Sequence, residues 1–197
     1  SVTSPTSNGL WGVTFGNNNF VAVGSSGKIV RSTDNGSSFN NATTDNSTEN
    51  LLYGVTFGNN TFVAVGHNGN IVRSTDNGSS FDNATTDNST ANNLSGVGFG
   101  NNTFVGVGSS GNIVISTDNG TNWDNATSPT ANYLYRVTFG NNTFVAVGDD
   151  GTIVRSTDNG TTWNNATSPN TKDFYGVGFG NNTFVAVGSG NTIIIST

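Results

Sequence analysis

The sequence contains no cysteine, and this absence excludes disulfide bonds, thiolate catalysis and cysteine-ligated metals together. Charged side chains are also scarce, at 9% of the chain, with six Lys or Arg against twelve Asp or Glu. A net charge of −6 without a basic cluster argues against nucleic acid as a partner. No apolar run approaches the roughly 18 residues that a membrane-spanning helix needs, so we expect no membrane partner either.

The chain does contain one sequence motif that is repeated five times. Successive copies are 42, 42, 40 and 40 residues apart, and together they fill the chain, which predicts a single domain over residues 1–197. A fixed period of this length, built from strand-like segments, is typical of propellers and solenoids. The Phe-Gly-Asn-Asn cores of the copies begin at Phe15, Phe57, Phe99, Phe139 and Phe179.

Each copy is predicted to form four short antiparallel strands. In the second copy these are residues 54–57, 61–65, 71–75 and 79–85. Gly-Asn-Asn joins the first two strands and Asp-Asn-Gly joins the last two, because these residues tolerate the positive φ of tight turns. The second strand has no polar alternation, which predicts that it is buried on both faces. Four such strands per period of about 40 residues indicate a propeller blade.

Four copies continue with Ser-Thr-Asp-Asn-Gly-x-x-(Phe or Trp). This motif resembles the Asp-box, Ser-x-Asp-x-Gly-x-x-Trp, of sialidase-type and photosystem-assembly-factor (Ycf48-like) propellers. The resemblance implies a structural role. The aspartate accepts hydrogen bonds within its own turn, the glycine takes the positive-φ position, and the aromatic ring anchors the hairpin. The residues concerned are Asp34, Gly36 and Phe39; Asp76, Gly78 and Phe81; Asp118, Gly120 and Trp123; and Asp158, Gly160 and Trp163.

The two ends of the sequence complement each other. The fifth copy stops after the first two residues of a box, whereas the chain begins with a segment that aligns with the end of a fourth strand. If this segment completes the fifth blade, the spacing around the ring from Phe179 to Phe15 is again 40. We therefore predict an all-β, five-bladed β-propeller of four-stranded antiparallel blades. Its ring is closed by the N-terminal strand, which removes the exposed sheet edges.

The copies differ mainly in two connections, the turn between the second and third strands and the link between blades. In a meander both lie on one face, and loops on a rigid scaffold often carry binding residues; the alternative is neutral drift of exposed turns. Aromatic residues at the start of the inner strands either contact a sugar or peptide at the central opening or fill the tunnel between blades. The candidate binding residues are Trp11, Tyr53, Tyr135, Tyr175, His67, Asp149 and Asp150.

Catalysis needs one asymmetric cluster, which five nearly equivalent blades do not provide. Sialidase chemistry requires clustered arginines and a glutamate that activates a tyrosine, but the only glutamate, Glu49, lies in a link between blades. His67 is the single candidate for histidine-based catalysis. The pair Asp149–Asp150 lacks the spacing of a calcium loop. We therefore predict a protein that is not an enzyme and has no cofactor and no metal.

Two non-enzymatic functions remain open. The first is a protein-interaction or structural module, which the Ycf48-like resemblance favours and which includes a recently amplified or engineered propeller. The second is a multivalent, lectin-like carbohydrate-binding protein with sites on the variable-loop face, where weak sites add through avidity. The sequence predicts a monomer, leaves a protein or glycan partner undecided, and favours an extracellular or periplasmic location.

Overall fold

The computed structural model describes residues 2–44, 50–86 and 92–196, and strands dominate these segments. They form five sheets, in each of which the strands of one copy make an antiparallel meander; sheets 2 and 3 also contain a short parallel edge strand from the preceding copy. Residues 45–49, which include Glu49, and residues 87–91 belong to the links between the first three sheets and lie outside the described residues. The helical segments of the described chain are four 3-10 turns of three residues each, and none is long or apolar enough to cross a membrane.

The strands are numbered along the chain. Sheet 1 contains β1 (Leu10–Gly16), β2 (Asn19–Gly24), β3 (Ile29–Ser32) and β4 (Asn40–Asn41). Sheet 2 contains β5 (Thr43–Thr44), β6 (Leu52–Gly58), β7 (Thr61–Gly66), β8 (Ile71–Ser74) and β9 (Ser80–Asn83). Sheet 3 contains β10 (Thr85–Thr86), β11 (Leu94–Gly100), β12 (Thr103–Gly108), β13 (Ile113–Ser116) and β14 (Asn122–Ala126). Sheet 4 contains β15 (Leu134–Gly140), β16 (Thr143–Gly148), β17 (Ile153–Ser156) and β18 (Asn164–Asn165), and sheet 5 contains β19 (Phe174–Gly180), β20 (Thr183–Gly188) and β21 (Thr192–Ile195).

The fourth strand is shorter than the sequence predicts. In the second copy it was expected over residues 79–85, but β9 ends at Asn83. The chain then leaves its own sheet, and Thr85 and Thr86 pair in parallel with Asn122 and Trp123 of sheet 3. Parallel pairing of the same kind ties sheet 1 to sheet 2 and, as a single bridge between Thr127 and Thr162, sheet 3 to sheet 4.

The core lies between the sheets. Each of the four hydrophobic clusters joins two consecutive sheets, for example Val63 and Val65 of sheet 2 with Phe104 and Trp123 of sheet 3. As predicted for the second copy, its second strand is buried on both faces: every residue of β7 is buried. A thin sheet can therefore be stable with little apolar sequence, because both of its faces are covered by neighbours.

A phenylalanine and a glycine interlock at every interface between sheets. A methyl group added to Gly58 would lie 2.1 Å from the ring of Phe99, which shows how closely that ring approaches the backbone of the preceding sheet. The same contact is repeated four times. The pairs are Gly16 with Phe57, Gly58 with Phe99, Gly100 with Phe139, and Gly140 with Phe179.

The predicted closure of the ring is not found in the described residues. Residues 2–9 form no strand, and β21 pairs with β20 alone. Val13 on sheet 1 and Ile193 on sheet 5 are 65% and 68% exposed, so the two end sheets leave apolar faces uncovered. The same Phe–Gly contact recurs at the four interfaces between consecutive sheets, whereas nothing lies within 4 Å of a methyl group added to Gly180, the equivalent glycine of sheet 5. The described residues therefore form an open arc of five sheets.

Candidate functional site

The first strands of the sheets surround a small cleft on the axis of the arc. First strands of consecutive sheets lie side by side, which places them nearest the axis. The cleft has a volume of about 240 Å³ and is lined by side chains from four sheets. These side chains include Trp11, Tyr53, Ser95 and Arg136.

Arg136 is the charged group of the cleft, and the sequence prediction missed it. It occupies a position that is glycine in the other copies, such as Gly54 and Gly96. Its guanidinium donates to the backbone oxygens of Ser95 and Tyr135, at 2.8 and 2.9 Å. The cation is therefore held across two sheets at the edge of the cleft. The replacement of glycine by arginine in this one copy is the sequence signal that could have revealed Arg136.

Two predicted aromatic residues lie on the opposite wall of the cleft. Trp11 is exposed, and its indole N–H donates to the Ser25 hydroxyl at 3.0 Å. Tyr53 is half-buried, and burial, followed by the nearby Tyr133, raises the pKa of its hydroxyl. The Trp11 ring is thus held by a local hydrogen bond, and both rings line the cleft.

Beside the cleft, three tyrosines form a cluster. Tyr135 contacts Tyr133 and Tyr175, with ring centroids 4.7 and 5.3 Å apart, and the second contact is edge-to-face. The Ser95 hydroxyl donates to the Tyr133 hydroxyl at 2.8 Å, so the cluster is continuous with the cleft. Burial and a hydrogen bond to Asp149 raise the pKa of Tyr135 to about 12. Its hydroxyl therefore remains a proton donor at neutral pH.

Carboxylates border the tyrosine cluster. Asp149 accepts from Tyr135, and Asp173 accepts from the Tyr175 hydroxyl at 3.4 Å and from the Asp150 backbone N–H at 3.0 Å. Asp150 itself has a φ of 52°, which points to the left-handed turn conformation that aspartate tolerates. Among the described residues, no group of three or more His, Cys, Asp or Glu is arranged to hold a metal ion.

The predicted candidates therefore separate into groups. Trp11 and Tyr53 line the cleft. Tyr135 and Tyr175 belong to the tyrosine cluster. Asp149 and Asp150 lie beside that cluster. His67 belongs to neither: it lies in the 3-10 turn of sheet 2, and its backbone N–H donates to Leu51. Sequence reasoning missed three further residues of this surface. They are Tyr133, Arg136 and Asp173.

The aspartates of the Ser-Thr-Asp-Asn-Gly turns hold their own turns together. Asp158 accepts from the hydroxyl and backbone N–H of Thr162, at 2.6 and 2.9 Å, and from the Ser156 hydroxyl at 2.8 Å. The Thr162 hydroxyl is the largest of the contacts that lower the pKa of Asp158 to about 2. Bonds from Ser38 likewise lower the pKa of Asp34 to about 2. These carboxylates therefore accept hydrogen bonds from residues of their own turns.

No protein-family model matches the chain, and no curated protein matches it either. Solved structures do. YCF48 from Cyanidioschyzon merolae has a TM-score of 0.75 at 17% identity, over 98% of this chain and 68% of that one. A structure of YCF48 bound to D1 peptide has a TM-score of 0.73 at 18% identity, over 100% and 66%.

Two further likenesses are to a designed protein and an enzyme. The computationally designed Ika8 protein has a TM-score of 0.76 at 14% identity, over 99% of this chain and 60% of that one. An ancestral GH74 enzyme has a TM-score of 0.72 at 17% identity, over 97% and 30%. The chain thus spans about two thirds or less of the length of these proteins. At such low identity the likeness shows the fold alone, and the chain is an all-β protein with the β-propeller fold.

Proposed function

We propose that the chain is a non-enzymatic, five-bladed propeller with Asp-box turns that acts as a monomeric protein-interaction module. Its binding surface is the axial face, which we define as the cleft and the adjoining tyrosine cluster. The observation that carries the proposal is the continuity of this face. The Ser95–Tyr133 hydrogen bond joins the two parts, so rings and charged groups form one surface.

The chemistry of the axial face suits an extended protein segment. Tyrosine and tryptophan rings combine apolar area with a polar group. Arg136 supplies a cation at one side, and Asp149 and Asp173 supply carboxylates at the other. A peptide carries backbone amides, apolar side chains and charges of both signs, and all of these find partners here. The structure of YCF48 with a bound peptide supports the same use of this fold.

The absence of catalysis in this proposal is supported by what the carboxylates already do. The aspartates of the turns are engaged by their own turns, and those of the axial face accept from Tyr135, Tyr175 and backbone. The likeness to the ancestral GH74 enzyme covers 30% of that enzyme, so most of the enzyme has no counterpart in this chain.

The test is a selection of phage-displayed random peptides on the immobilised chain. We expect enriched peptides whose affinity falls by about tenfold or more with Tyr135→Ala or Trp11→Ala, because buried aromatic anchors dominate such interfaces. Asp82→Ala is the control, since Asp82 is an exposed residue of the fourth strand of sheet 2 and does not line the cleft. The absence of enriched peptides, or binding that neither variant weakens, contradicts the proposal. Glycan-array binding lost with Trp11→Ala would support the lectin-like function instead.

A further inference from the structure

A groove with a volume of about 530 Å³ separates sheet 5 from sheet 4 along the edge of β21. We propose that this groove is a strand-acceptor site. It binds an extended segment of a partner protein that carries Asp-Asn-Gly-x-x-(Trp or Phe). The inference rests on the proposed protein-interaction function and adds a second site, separate from the axial face.

The preceding sheets show what occupies this position when it is filled. The indole of Trp163, from the end of sheet 4, packs against sheet 3 in a cluster with Val105 and Val107. Trp123 and Phe81 pack in the same way against sheets 2 and 1. An aromatic ring that follows the Asp-Asn-Gly turn therefore seals each of these three interfaces.

The equivalent face of sheet 4 has no such ring over it in the described chain. Val145, Val147 and Ile153 form this face, and all three line the groove. Ile153 is partly exposed, whereas the equivalent Ile71 and Ile113 are 2% and 1% exposed. The groove is thus an apolar seat of the shape and composition that receives Trp or Phe at the other interfaces.

Two strand edges border the groove. On one side, β21 pairs only with β20, whereas the third strand of every other sheet also pairs with a fourth strand. On the other side lies Thr167, the equivalent of Thr43 and Thr85. The backbone N–H groups of those two residues donate, at 3.0 Å, to Ser79 and Thr121 of the next sheet. A segment in the groove would therefore find hydrogen-bond partners on both edges, as in β-augmentation.

Arg155 marks the end of the groove that receives the turn. The equivalent Arg73 donates to the backbone oxygen of Asn119 at 3.1 Å and to the Thr121 hydroxyl at 2.7 Å, both in the turn of sheet 3. Arg31 bonds the turn of sheet 2 in the same way. Arg155 is exposed, and within residues 2–44, 50–86 and 92–196 it has no hydrogen bond or ion pair. An incoming Asp-Asn-Gly turn supplies the missing acceptors.

Ser196 specifies the beginning of the bound segment. Its equivalent in sheet 4 is Ser156, whose hydroxyl donates to Asp158 and accepts from the backbone N–H of Gly160, both at 2.8 Å. Ser196 lines the groove, and its hydroxyl accepts from the Phe184 backbone N–H at 2.9 Å. A hydroxyl has a second lone pair and a proton to donate, so a segment that starts with Asp-Asn-Gly can make both of these bonds to Ser196 as well. Such a segment places its aromatic residue, three positions after the glycine, over the apolar seat.

The test uses a synthetic peptide that copies residues 158–167, acetyl-DNGTTWNNAT-amide. It is titrated into the full chain by calorimetry, with a control peptide that has Ala in place of Trp. We expect one-to-one binding and a rise in Tm, because a ligand that binds only the folded state stabilises it. We expect the control peptide to bind about tenfold or more weakly, since the aromatic anchor is lost.

Two variants of the chain locate the binding. Ile194→Lys introduces a charge into the groove and is expected to abolish binding. Ile193→Lys, on the opposite face of the same strand, is the matched control and is expected to leave binding unchanged. Arg155→Ile introduces the residue that sheet 3 has at Ile115. It is expected to weaken binding only a few-fold, because it removes hydrogen bonds but not the apolar seat. Since Arg155 is exposed, this variant is expected to fold if Ile194→Lys does not.

Equal affinity of the two peptides, no binding of either, or binding that all variants retain would overturn the proposal. A dimer that Ile194→Lys dissociates would assign the groove to a second copy of the chain and would also overturn it. These results leave the axial-face proposal untouched, because peptides selected on that face depend on Tyr135 and are indifferent to Ile194→Lys. Conversely, a failed selection on the axial face does not change the titration.

Discussion

Glycine determines how closely neighbouring sheets approach. A methyl group on Gly100 would lie 2.0 Å from the ring of Phe139, closer than any real contact. At Gly180, the same position in sheet 5, nothing lies within 4 Å because no sheet follows it in the structure. One repeated position therefore exists in a crowded and an open form, within the same chain.

We predict opposite outcomes for the two glycines. Gly100→Ala forces a methyl group into the ring of Phe139 and is expected to lower the free energy of unfolding by about 1–3 kcal/mol. Gly180→Ala meets no atom and restricts the unfolded chain, so it is expected to be neutral or to stabilise by up to about 1 kcal/mol. Urea unfolding of the two variants beside the wild type measures both. Equal destabilisation would show that the Phe–Gly contact does not govern the interface.

Acid is expected to weaken the fold through the turn aspartates. Hydrogen bonds, chiefly from Thr162 and Ser38, lower the pKa of Asp158 and Asp34 from the ordinary 3.8 to about 2. Because the folded-state pKa lies below the unfolded one, the stabilisation is present above about pH 4 and is lost as the pH falls towards about 2. Thermal unfolding across this range should show a falling Tm. Asp158→Asn should lower Tm at neutral pH and flatten its decline in acid.

Among the structural elements, the short fourth strand does more than its length suggests. It carries the aromatic ring that seals the interface to the preceding sheet, and the chain after it pairs with the following sheet. The fourth strand and the residues after it therefore connect their own sheet with both the preceding and the following sheet.

Loss of the ring should be costly in the middle of the arc and mild at its start. Trp123 is 1% exposed between sheets 2 and 3, and Trp123→Ala is expected to cost about 3–5 kcal/mol of unfolding free energy. Phe39, the equivalent in sheet 1, is half-buried and has no preceding sheet to seal. Phe39→Ala should cost clearly less when both variants are unfolded in urea. A similar cost for both would mean that the ring acts within its own hairpin.

The strands were predictable because their signals are local. Asn17 and Asn18 adopt the positive φ that their turn requires, and the continuous apolar run of β7 is buried on both faces. The parallel pairing of Thr85 and Thr86 was not predictable, because it depends on where the next sheet lies.

The candidate site was predictable only in part, for a related reason. Trp11 and Tyr53 were found from their position at the start of the inner strands. Arg136 and Tyr133 act through contacts with Ser95 of the neighbouring sheet, and sequence spacing does not reveal such contacts. Their roles depend on how two sheets face each other.

At the scale of the whole molecule, the repeat predicts the architecture but not its closure. A period of 40 residues specifies one sheet after another, and the propeller fold follows from it. The number of sheets that completes a circle depends on the angle between neighbouring sheets, and the period of the repeat carries no information about that angle. Counting residues around the ring therefore predicted a closure that the described residues do not show.

Charged substitutions on the two end faces distinguish an arc from a ring. Val13→Glu and Ile193→Glu alter exposed side chains and are expected to change the free energy of unfolding by no more than about 0.5 kcal/mol. In a closed ring both positions would be buried between sheets, and each substitution would be strongly destabilising. Urea unfolding tests this, and small-angle X-ray scattering of the wild type should fit the open arc.

The hydrogen bonds that shape the Asp-Asn-Gly turns also bear on the chemical lifetime of the protein. Asparagine followed by glycine deamidates when the glycine nitrogen attacks the asparagine side chain. In the turn of sheet 4 the Gly160 N–H is held by the Ser156 hydroxyl, and Gly36, Gly78 and Gly120 are held alike. The described structure shows no such bond for Gly9 or Gly69, so Asn8 and Asn68 should deamidate before the asparagines of the Asp-Asn-Gly turns on storage in mild alkali. Peptide mapping by mass spectrometry would follow the order in which these sites age.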